Sequence, residues 1–382
     1  MSKLRAFAGA AATLALLVSL TAVAPPAAAG HVNCGDVITV DTTLDADVGP
    51  CPGTGLVIGA DRVILDLNGH RLFGTAGSAG EGVGVLVEGR ERVWVTNGAV
   101  QHFDAGVAIV GGANNRVTRV RAIDNVGSLA AGFGDGIVAE SSTGNVFEDN
   151  IIRRNGPFGG ITLFGGSTHH TISRNLVQDN VVLTSPSGPQ QDDGIRLENL
   201  STDNIISENR VYDNGLDGIA LFRGSARNQV VRNDVRRNGA HGQVHRQGDG
   251  IAVFNQADRN LISENRVFDN GANGIFLRGP VTFNPPSGPV TIPGARENRV
   301  LGNFTGNNGP IPGPGGPRYD LRDNNPDCDE NIWLDNTYLT AFPECTTGTT
   351  GGALSGAAAS GAGPSASSAP AGGPELGSDF VR

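Results

Sequence analysis

An asparagine returns every five residues, three times in succession, and this triplet recurs along the chain. The clearest copy is Asn204, Asn209 and Asn214, which is followed by Gly218 and Ile219. Three further copies are Asn145/Asn150/Asn155, Asn228/Asn233/Asn238 and Asn260/Asn265/Asn270. A repeat of this length indicates a solenoid, whose coils bury their apolar side chains against one another.

Between the asparagines, apolar residues alternate with polar ones over runs too short for a helix, as at Ile206, Val211, Ile219 and Leu221. Such runs, broken by Asn and Gly, predict short strands joined by tight turns. Three strands in a turn of about 24 residues would form a triangular coil, and stacked coils would place parallel strands about 4.8 Å apart. Equivalent asparagines would then form hydrogen-bonded ladders.

The two ends of the chain differ in composition from the repeats. Residues 1–29 carry Lys3 and Arg5 ahead of an apolar run and end in three alanines, which is typical of a cleaved signal peptide. We therefore predict a secreted protein, with a solenoid in 30–345 and a disordered Gly/Ala/Ser/Pro tail in 346–382. No second apolar stretch is long enough to span a bilayer, so we expect no membrane partner.

The chain is acidic, with a formal charge of −10 that would become −12 on loss of Lys3 and Arg5. A nucleic-acid-binding protein normally carries a basic excess, so we expect no nucleic-acid partner. An acidic polysaccharide would need local arginines or a bridging divalent cation. We expect the protein to be a monomer.

Four cysteines form one close pair at each end of the repeats. Four cysteines allow three connectivities, but in an oxidising compartment we expect disulfides Cys34–Cys51 and Cys328–Cys345. A metal site is the alternative, and the absence of any C-x-x-C spacing argues against it. The end coils of a solenoid have only one neighbour, so cross-links there would serve as caps.

The repeats Asn-x-Φ-x-x-Asn-x-Φ-x-x-Asn, followed by Gly-Ile, resemble those of the right-handed parallel β-helix proteins of the pectin-lyase-like superfamily. The likeness extends to the secreted bacterial parallel β-helix repeat group, which includes the copper-site maturation protein of nitrous oxide reductase. The stretch from Cys34 to His70 resembles the capping coils of that group. The resemblance covers residues 34–345 and implies an all-β, right-handed parallel β-helix of about ten coils. It implies no single activity, since the superfamily holds lyases, hydrolases, epimerases, tailspikes and non-enzymatic binding proteins.

The spacing from the third asparagine to the next Gly-Ile alternates between short and long. It is short after Asn155, Asn214 and Asn270, and long after Asn125, Asn180 and Asn238. Long loops at 126–135, 181–193 and 239–249 would thus emerge on one edge of the solenoid, with a further insert at 279–295. Loops on one face of a repeat protein often carry its function.

Charges beside the second asparagine alternate in sign from coil to coil, as at Asp149, Arg174 and Glu208, and those beside the third are of mixed sign. We interpret them as solvated ion-pair ladders. Outward positions of the Gly-Ile strand instead carry Phe164, Glu198, Phe222, Phe254 and Arg278. Phe164, Phe222, Phe254 and Arg278 are therefore candidate substrate-binding residues, on which a sugar could stack. Alternatively, the long loops fold back and cover these rings.

An acidic column precedes the same strand and includes Asp192, Asp193 and Asp217. Stacked carboxylates raise one another's pKa or bind a cation, so these three are candidate Ca²⁺ ligands. The resemblance supports this, because lyases of the superfamily use Ca²⁺ to neutralise a uronate. The alternative is that Asp-Gly is simply a favourable turn pair.

The candidate catalytic residues are Asp193, Arg196, Glu198 and His245. With no lysine left after export, an arginine would have to be the base of a lyase reaction, which the resemblance to the pectate-lyase branch allows. Asp192-Asp193 is similar to the paired aspartates of the polygalacturonase branch, but its Gly-His-Gly and Arg-Ile-Lys motifs are absent. We expect no copper role, because the histidines are the only soft ligands that remain.

Two functions remain open. The leading hypothesis is a lyase or epimerase acting on a uronate-containing extracellular polysaccharide, with its site on the Gly-Ile strands. The other is a non-catalytic carbohydrate-binding or surface scaffold protein. They differ in whether Asp193, Asp217, Arg196 and Glu198 meet in an open groove.

Overall fold

The computed structural model describes residues 31–75, 82–127, 132, 134–180, 192–239, 248–285, 288–310 and 317–348. These residues form the predicted right-handed parallel β-helix, whose coils stack into three parallel sheets. The predicted signal peptide, nearly all of the predicted tail and most of the three long loops lie outside the described residues.

Sheet I follows the Gly-Ile motif and has twelve strands. They are Val37–Ile38, Leu56–Ile58, Val83–Glu88, Ala105–Val110, Asp135–Glu140, Gly159–Phe164, Asp193–Leu197, Ile219–Leu221, Ile251–Val253, Ile275–Leu277, Leu321–Asp323 and Ala341–Phe342. All neighbouring strands of sheet I are parallel, so equivalent residues of successive coils lie side by side.

Sheet II follows the first asparagine of each coil, and sheet III follows the second. The strands of sheet II alone are Thr42–Thr43, Ile64–Asp66, Val146–Glu148, Thr171–Ser173, Ile205–Ser207, Gln229–Val231, Leu261–Ser263, Arg299–Leu301 and Ile332–Leu334. Those of sheet III alone are Val48–Cys51, Arg71–Gly74, Ile151–Arg153, Leu176–Gln178, Arg210–Tyr212, Asp234–Arg236, Arg266–Phe268 and Phe304–Gly306.

Two long strands, Trp94–Gln101 and Arg116–Ile123, run through both sheet II and sheet III. They occur where the second asparagine of the repeat is missing. Val120 takes that position in the second of them, and its N–H still donates to Asn150 Oδ1 of the next coil at 2.9 Å. The left-handed turn of the corner is kept in both strands, with φ of 60° at Asn97 and 54° at Arg119.

The asparagine ladders are present as predicted. In the first ladder, the main-chain N–H of Asn204 donates to Asn228 Oδ1 at 2.9 Å. The side-chain Nδ2 of Asn204 donates to the same oxygen at 3.0 Å and to the carbonyl oxygen of Ser167 at 3.2 Å. Each buried amide thus uses both its donor and its acceptor, which satisfies polar groups that burial would otherwise leave at a cost.

The interior is filled by one apolar column each from sheets II and III and by two from sheet I, where residues such as Ile195 and Leu197 are both fully buried. In sheet II the column includes Ile172, Ile206, Val230 and Ile262, all fully buried. At the corners, the predicted ion pairs form, for example Arg174 with Asp149 at 3.0 Å. The core and the ladders therefore hold the coils together, while the charged corners remain in solvent.

Both predicted disulfides close the ends of the solenoid. Cys34 and Cys51 have Cα atoms 5.4 Å apart, and Cys328 and Cys345 have Cα atoms 6.3 Å apart. Short 3-10 turns at Pro326–Cys328 and Glu344–Thr347 carry the second pair. The predicted insert at 279–295 contains an antiparallel hairpin, Val281–Phe283 with Val290–Ile292. In the part of the chain that the structure describes, no helix has the length and hydropathy of a membrane span.

Candidate functional site

Sheet I presents two outward columns in the predicted register. One column runs through Phe164, Glu198, Phe222, Phe254 and Arg278 in successive coils. The neighbouring column consists of Thr162, Arg196, Ala220, Ala252 and Phe276. The face is therefore polar around Arg196 and aromatic toward the C-terminal coils.

Arg196 lies between two carboxylates. Its Nη1 donates to Asp193 Oδ2 at 2.7 Å, and its Nε donates to Glu198 Oε2 at 2.8 Å. The ring of Phe222 covers the guanidinium, whose central carbon is 4.3 Å from the ring centre. Arg223 Nη1 is 3.0 Å from the second oxygen of Glu198. The ion pairs neutralise the charge of Arg196. Its side chain is largely closed to solvent, because the residue is only 5% exposed.

The acidic column of sheet I is a further hydrogen-bonded ladder, separate from those of the asparagines. Asp193 Oδ1 accepts the main-chain N–H of Asp217 at 3.0 Å, and Asp217 Oδ1 accepts that of Asp249 at 2.7 Å. Asp249 Oδ1 accepts both the main-chain and the side-chain N–H of Asn273, at 2.7 and 2.8 Å. Each carboxylate thus holds the backbone of the next coil.

Burial changes the titration of these groups. It raises the pKa of Asp193 to about 6, although the Arg196 charge opposes the shift. It also raises the pKa of Asp249 to about 6, and that of Asp217 well above its ordinary value with help from both neighbouring carboxylates. Burial alone would lower the pKa of Arg196, but Asp193 and Glu198 outweigh it and raise that pKa. A guanidinium held this firmly in its charged form is a poor general base near neutral pH.

The aromatic part of the face is a row of three rings. The ring centres of Phe222 and Phe254 are 4.7 Å apart, and those of Phe254 and Phe276 are 5.8 Å apart in an edge-to-face arrangement. The guanidinium of Arg278 lies 5.6 Å from the Phe254 ring, and that of Arg322 lies 5.3 Å from the Phe276 ring. Phe254 is 8% exposed, whereas Phe222, Phe276 and Arg278 are half-buried. The row is therefore partly open.

A cavity of about 540 Å³ lies at the C-terminal end of this row. It is lined by Arg278, by Val281 of the hairpin, and by Asn324, Pro326 and Phe342 of the last coils. Phe342 is 49% exposed, which gives the cavity an open aromatic wall. A ligand that follows the row would meet a guanidinium, an amide and an aromatic ring here.

The structure brings some of the predicted site residues together and separates others. Asp193, Arg196 and Glu198 form one hydrogen-bonded group, and their catalytic role stays a prediction. Phe164 lies one coil before Glu198 and is half-buried. His245 lies outside the described residues.

Several residues of this face were not among the candidates. The repeat places Phe276 in the neighbouring outward column, but its contact with Phe254 depends on the tilt of both rings. Arg223 follows the strand in a left-handed turn with φ of 47°, outside the ladder positions of the repeat. Asn324 and Phe342 continue the two outward columns in the structure, but the irregular spacing of the end coils hides this register in the sequence.

The coils, the ladders and the three sheets define a pectin-lyase-like parallel β-helix. Among solved structures, the fold is similar to that of the Dettilon tailspike protein, with a TM-score of 0.54, 18% identity, and coverage of 78% of this chain and 55% of the tailspike. It is also similar to the periplasmic alginate epimerase AlgG (TM-score 0.52, 15% identity, 80% and 76% coverage) and to the pectate lyase Pel9A (0.51, 14%, 84% and 82%). The chain thus spans just over half of the tailspike's length, and these likenesses establish the fold alone.

The family model described as periplasmic copper-binding protein (NosD) matches residues 58–248. The match covers half of the 382-residue chain, and the chain belongs to this family. No curated protein matches the sequence.

The donor set of the described residues does not fit copper. They contain no group of three or more His, Cys, Asp or Glu side chains placed to hold a metal ion, and all four cysteines are in disulfides. His170 instead replaces an asparagine in the first ladder: its Nδ1 accepts the N–H of Asn145 at 3.0 Å, and its Nε2 lies 3.1 Å from the carbonyl oxygen of Ser142. Burial lowers its pKa to about 4.

Nor does the predicted calcium site fit the residues that the structure describes. Calcium takes about six to eight oxygen ligands. Both oxygens of Asp193 already accept N–H donors, and one oxygen of Asp217 does so too. Asp192 is buried next to this column, with its carbonyl oxygen accepting the N–H of Leu216 at 3.0 Å. No step of a mechanism is therefore assigned to a metal ion.

Proposed function

We propose that this protein is exported and binds a polysaccharide along the aromatic row of sheet I, with one end of the ligand in the cavity beside Arg278. The observation that carries this proposal is the row itself, in which Phe222, Phe254 and Phe276 follow one another on successive coils and lead into that cavity. Apolar rings with a few convergent polar groups are typical of sites for small organic ligands and sugars. The two disulfides suit an oxidising compartment.

Binding is favoured over catalysis because the candidate catalytic groups are already committed to one another. Arg196 is paired with Asp193 and Glu198, and Asp193 also holds the backbone of Asp217. A lyase or epimerase acting on a uronate-containing glycan is the second candidate. It is favoured by the position of this group directly beside Phe222, and by the similar folds of an alginate epimerase and a pectate lyase.

The test is calorimetric binding to a panel of neutral and uronate-containing polysaccharides. The double variant Phe222→Ala/Phe276→Ala should weaken binding by at least about tenfold, since each half-buried ring contributes on the order of 1 kcal/mol of contact. Ile205→Ala, an exposed apolar side chain on sheet II, is the matched control and should leave the affinity unchanged. Equal affinities of both variants and the wild type would show that the aromatic row is not the polysaccharide-binding site.

The enzyme candidate is tested on the same panel by the absorbance of unsaturated uronate products and by NMR of the sugar C5 configuration. If the wild type shows turnover and Glu198→Gln does not, the hydrogen-bonded group of Asp193, Arg196 and Glu198 is identified as the catalytic site. Binding without turnover would support the proposed function.

A further inference from the structure

Sheet III has a charge excess opposite in sign to that of the whole chain. The outward positions are the first and third residues of each strand segment, from Arg71–Gly74 to Phe304–Gly306. They hold six arginines: Arg71, Arg121, Arg153, Arg210, Arg236 and Arg266. The only acid at these positions is Asp234. A net positive face on a chain of formal charge −10 requires an explanation.

The other two faces are balanced within their described strands. The outward positions of sheet II hold Arg116 and Arg299 against Asp66 and Glu148. Those of sheet I hold Arg196 and Arg322 against Glu88 and Glu140, and the positions directly after its strands add one residue of each sign, Arg278 and Glu198. The excess therefore belongs to sheet III and is not a general property of the solenoid.

Three of the six arginines have carboxylate partners. Arg71 pairs with Asp47 at 2.7 Å and Arg153 with Asp179 at 3.4 Å, while Arg236 pairs with Asp234. The other three are Arg121, Arg210 and Arg266, which are exposed and have no ion-pair partner among the residues that the structure describes. They are available to an anion from solution.

Aromatic rings support the C-terminal part of this face. The ring centres of Phe268 and Phe304 are 5.0 Å apart, and the guanidinium of Arg266 lies 5.9 and 5.6 Å from them. Tyr212 donates its hydroxyl to Asp234 at 2.5 Å, which occupies the one carboxylate of the face. A guanidinium that rests on rings loses less freedom when it binds an anion.

The geometry of the free arginines is linear. Arg121, Arg210 and Arg266 occupy one column of in-register positions, separated by three and then two strand spacings. At about 4.8 Å per spacing, the separations are about 14 and 10 Å along the solenoid axis. The strip is one three-residue strand wide, about 10 Å. Acids such as Asp213 and Asp269 stand at the corner beside it.

We propose that sheet III is a second binding face, which holds a single extended acidic polysaccharide chain along the solenoid axis. Guanidinium groups pair with carboxylates or sulfates through charge-assisted hydrogen bonds, and the three free arginines would meet such groups in turn. A bilayer or a nucleic-acid duplex is wider than the strip and would bring its charge against the acidic corners. This proposal does not depend on the aromatic row of sheet I, which lies on a different face.

The test uses the full chain and polygalacturonate as the probe, with calorimetric titrations at low and at physiological salt. Arg210→Ala/Arg266→Ala should weaken binding at low salt by at least about tenfold and reduce the dependence of log affinity on log salt by between one and two units. Arg116→Ala/Arg299→Ala removes the same charge from exposed positions of sheet II and should change the affinity by less than about twofold. All four side chains are exposed, so the midpoint of thermal unfolding should stay constant in both variants.

Equal losses in the two double variants would overturn the proposal, because they would show attraction by overall charge. An unchanged affinity of the sheet III variant would overturn it as well. The chemical class is checked with anionic vesicles and single-stranded DNA. If the sheet III variant loses binding to either of them and keeps its affinity for polygalacturonate, the face recognises a different polyanion. Loss of polygalacturonate binding in Phe222→Ala/Phe276→Ala alone would place that ligand on sheet I.

Discussion

The asparagine ladder through Asn204 and the aspartate column of sheet I use the same kind of bond between coils. In both, a side-chain oxygen accepts a main-chain N–H of the neighbouring coil, at 2.9 Å for Asn228 and 3.0 Å for Asp193. The amide also donates, so every asparagine of the ladder is satisfied within the stack. A carboxylate only accepts, so the column concentrates negative charge where solvent is excluded.

The difference shows that the same bond between coils can be made by neutral amides or by groups that titrate. Arg196 neutralises the aspartate column at one end, and Asn273 ends it at the other with an amide. Burial raises the pKa of Asp193 and of Asp249, and burial together with both neighbouring carboxylates raises that of Asp217. The predictions below test this contrast.

The largest effect is expected from Asn233→Ala in the second ladder. Its Nδ2 donates to Ile206 O and Asn265 Oδ1, and its Oδ1 accepts both N–H donors of Asn209. Removing these four bonds leaves buried groups unsatisfied, so the free energy of unfolding should fall by about 4 kcal/mol. Urea denaturation measures the loss, and Arg232→Ala at the neighbouring exposed corner serves as the control. A loss below about 1 kcal/mol would mean that the ladder contributes little.

A smaller loss is expected from Arg196→Ala, about 3 kcal/mol at pH 7, because it leaves two buried carboxylates without their partner. The loss should be smaller at pH 5, since Asp193 already has a pKa of about 6 and is neutral more often there. Chemical denaturation at both pH values gives the comparison. Arg227→Ala, which breaks an exposed pair with Asp203, should show little change at either pH. An equal loss at both pH values would contradict the pairing argument.

The smallest effect, and the only gain, is expected from Asp249→Asn. A carboxyl group whose pKa is raised on folding stabilises the fold below its unfolded pKa of about 4, and this contribution is lost as pH rises through its folded pKa of about 6. The amide has no such loss, so the variant should be more stable than the wild type at pH 7, by on the order of 2 kcal/mol. The gain should shrink toward pH 4, as measured by the unfolding midpoint. A gain that is equal at pH 7 and pH 4 would contradict the role of the buried charge.

The fold could be predicted from the sequence because it depends on period and adjacency. The ladder through Asn204 and the outward column through Phe222 follow once equivalent residues are placed one coil apart. Both disulfides follow from the close pairing of the cysteines at each end of the repeats. A wrong prediction of a loop does not affect these relations, because each hydrogen bond of a ladder depends only on two equivalent residues in adjacent coils.

The candidate site was less predictable for physical reasons. Arg196 has carboxylates on either side of it in its own strand and an aromatic ring in the next coil, and the packed geometry decides that it binds all three. The free arginines of sheet III recur after three coils and then two, so no simple period singles out Arg121, Arg210 and Arg266. Their common property is the charge balance of a face, which emerges only when all outward positions of three sheets are compared.

The asparagine ladders also separate the length of a loop from the geometry of its coil. Asn204 and Asn228 are 24 residues apart, whereas Asn260 and Asn298 are 38 apart, yet the rung is 2.9 Å long in both cases. Fourteen additional residues are thus accommodated without any change in the stack. The solenoid could therefore serve as a scaffold for loop grafting. Foreign peptides inserted at these corners would be held at fixed positions along the solenoid axis, and the choice of coil would set the distance between them.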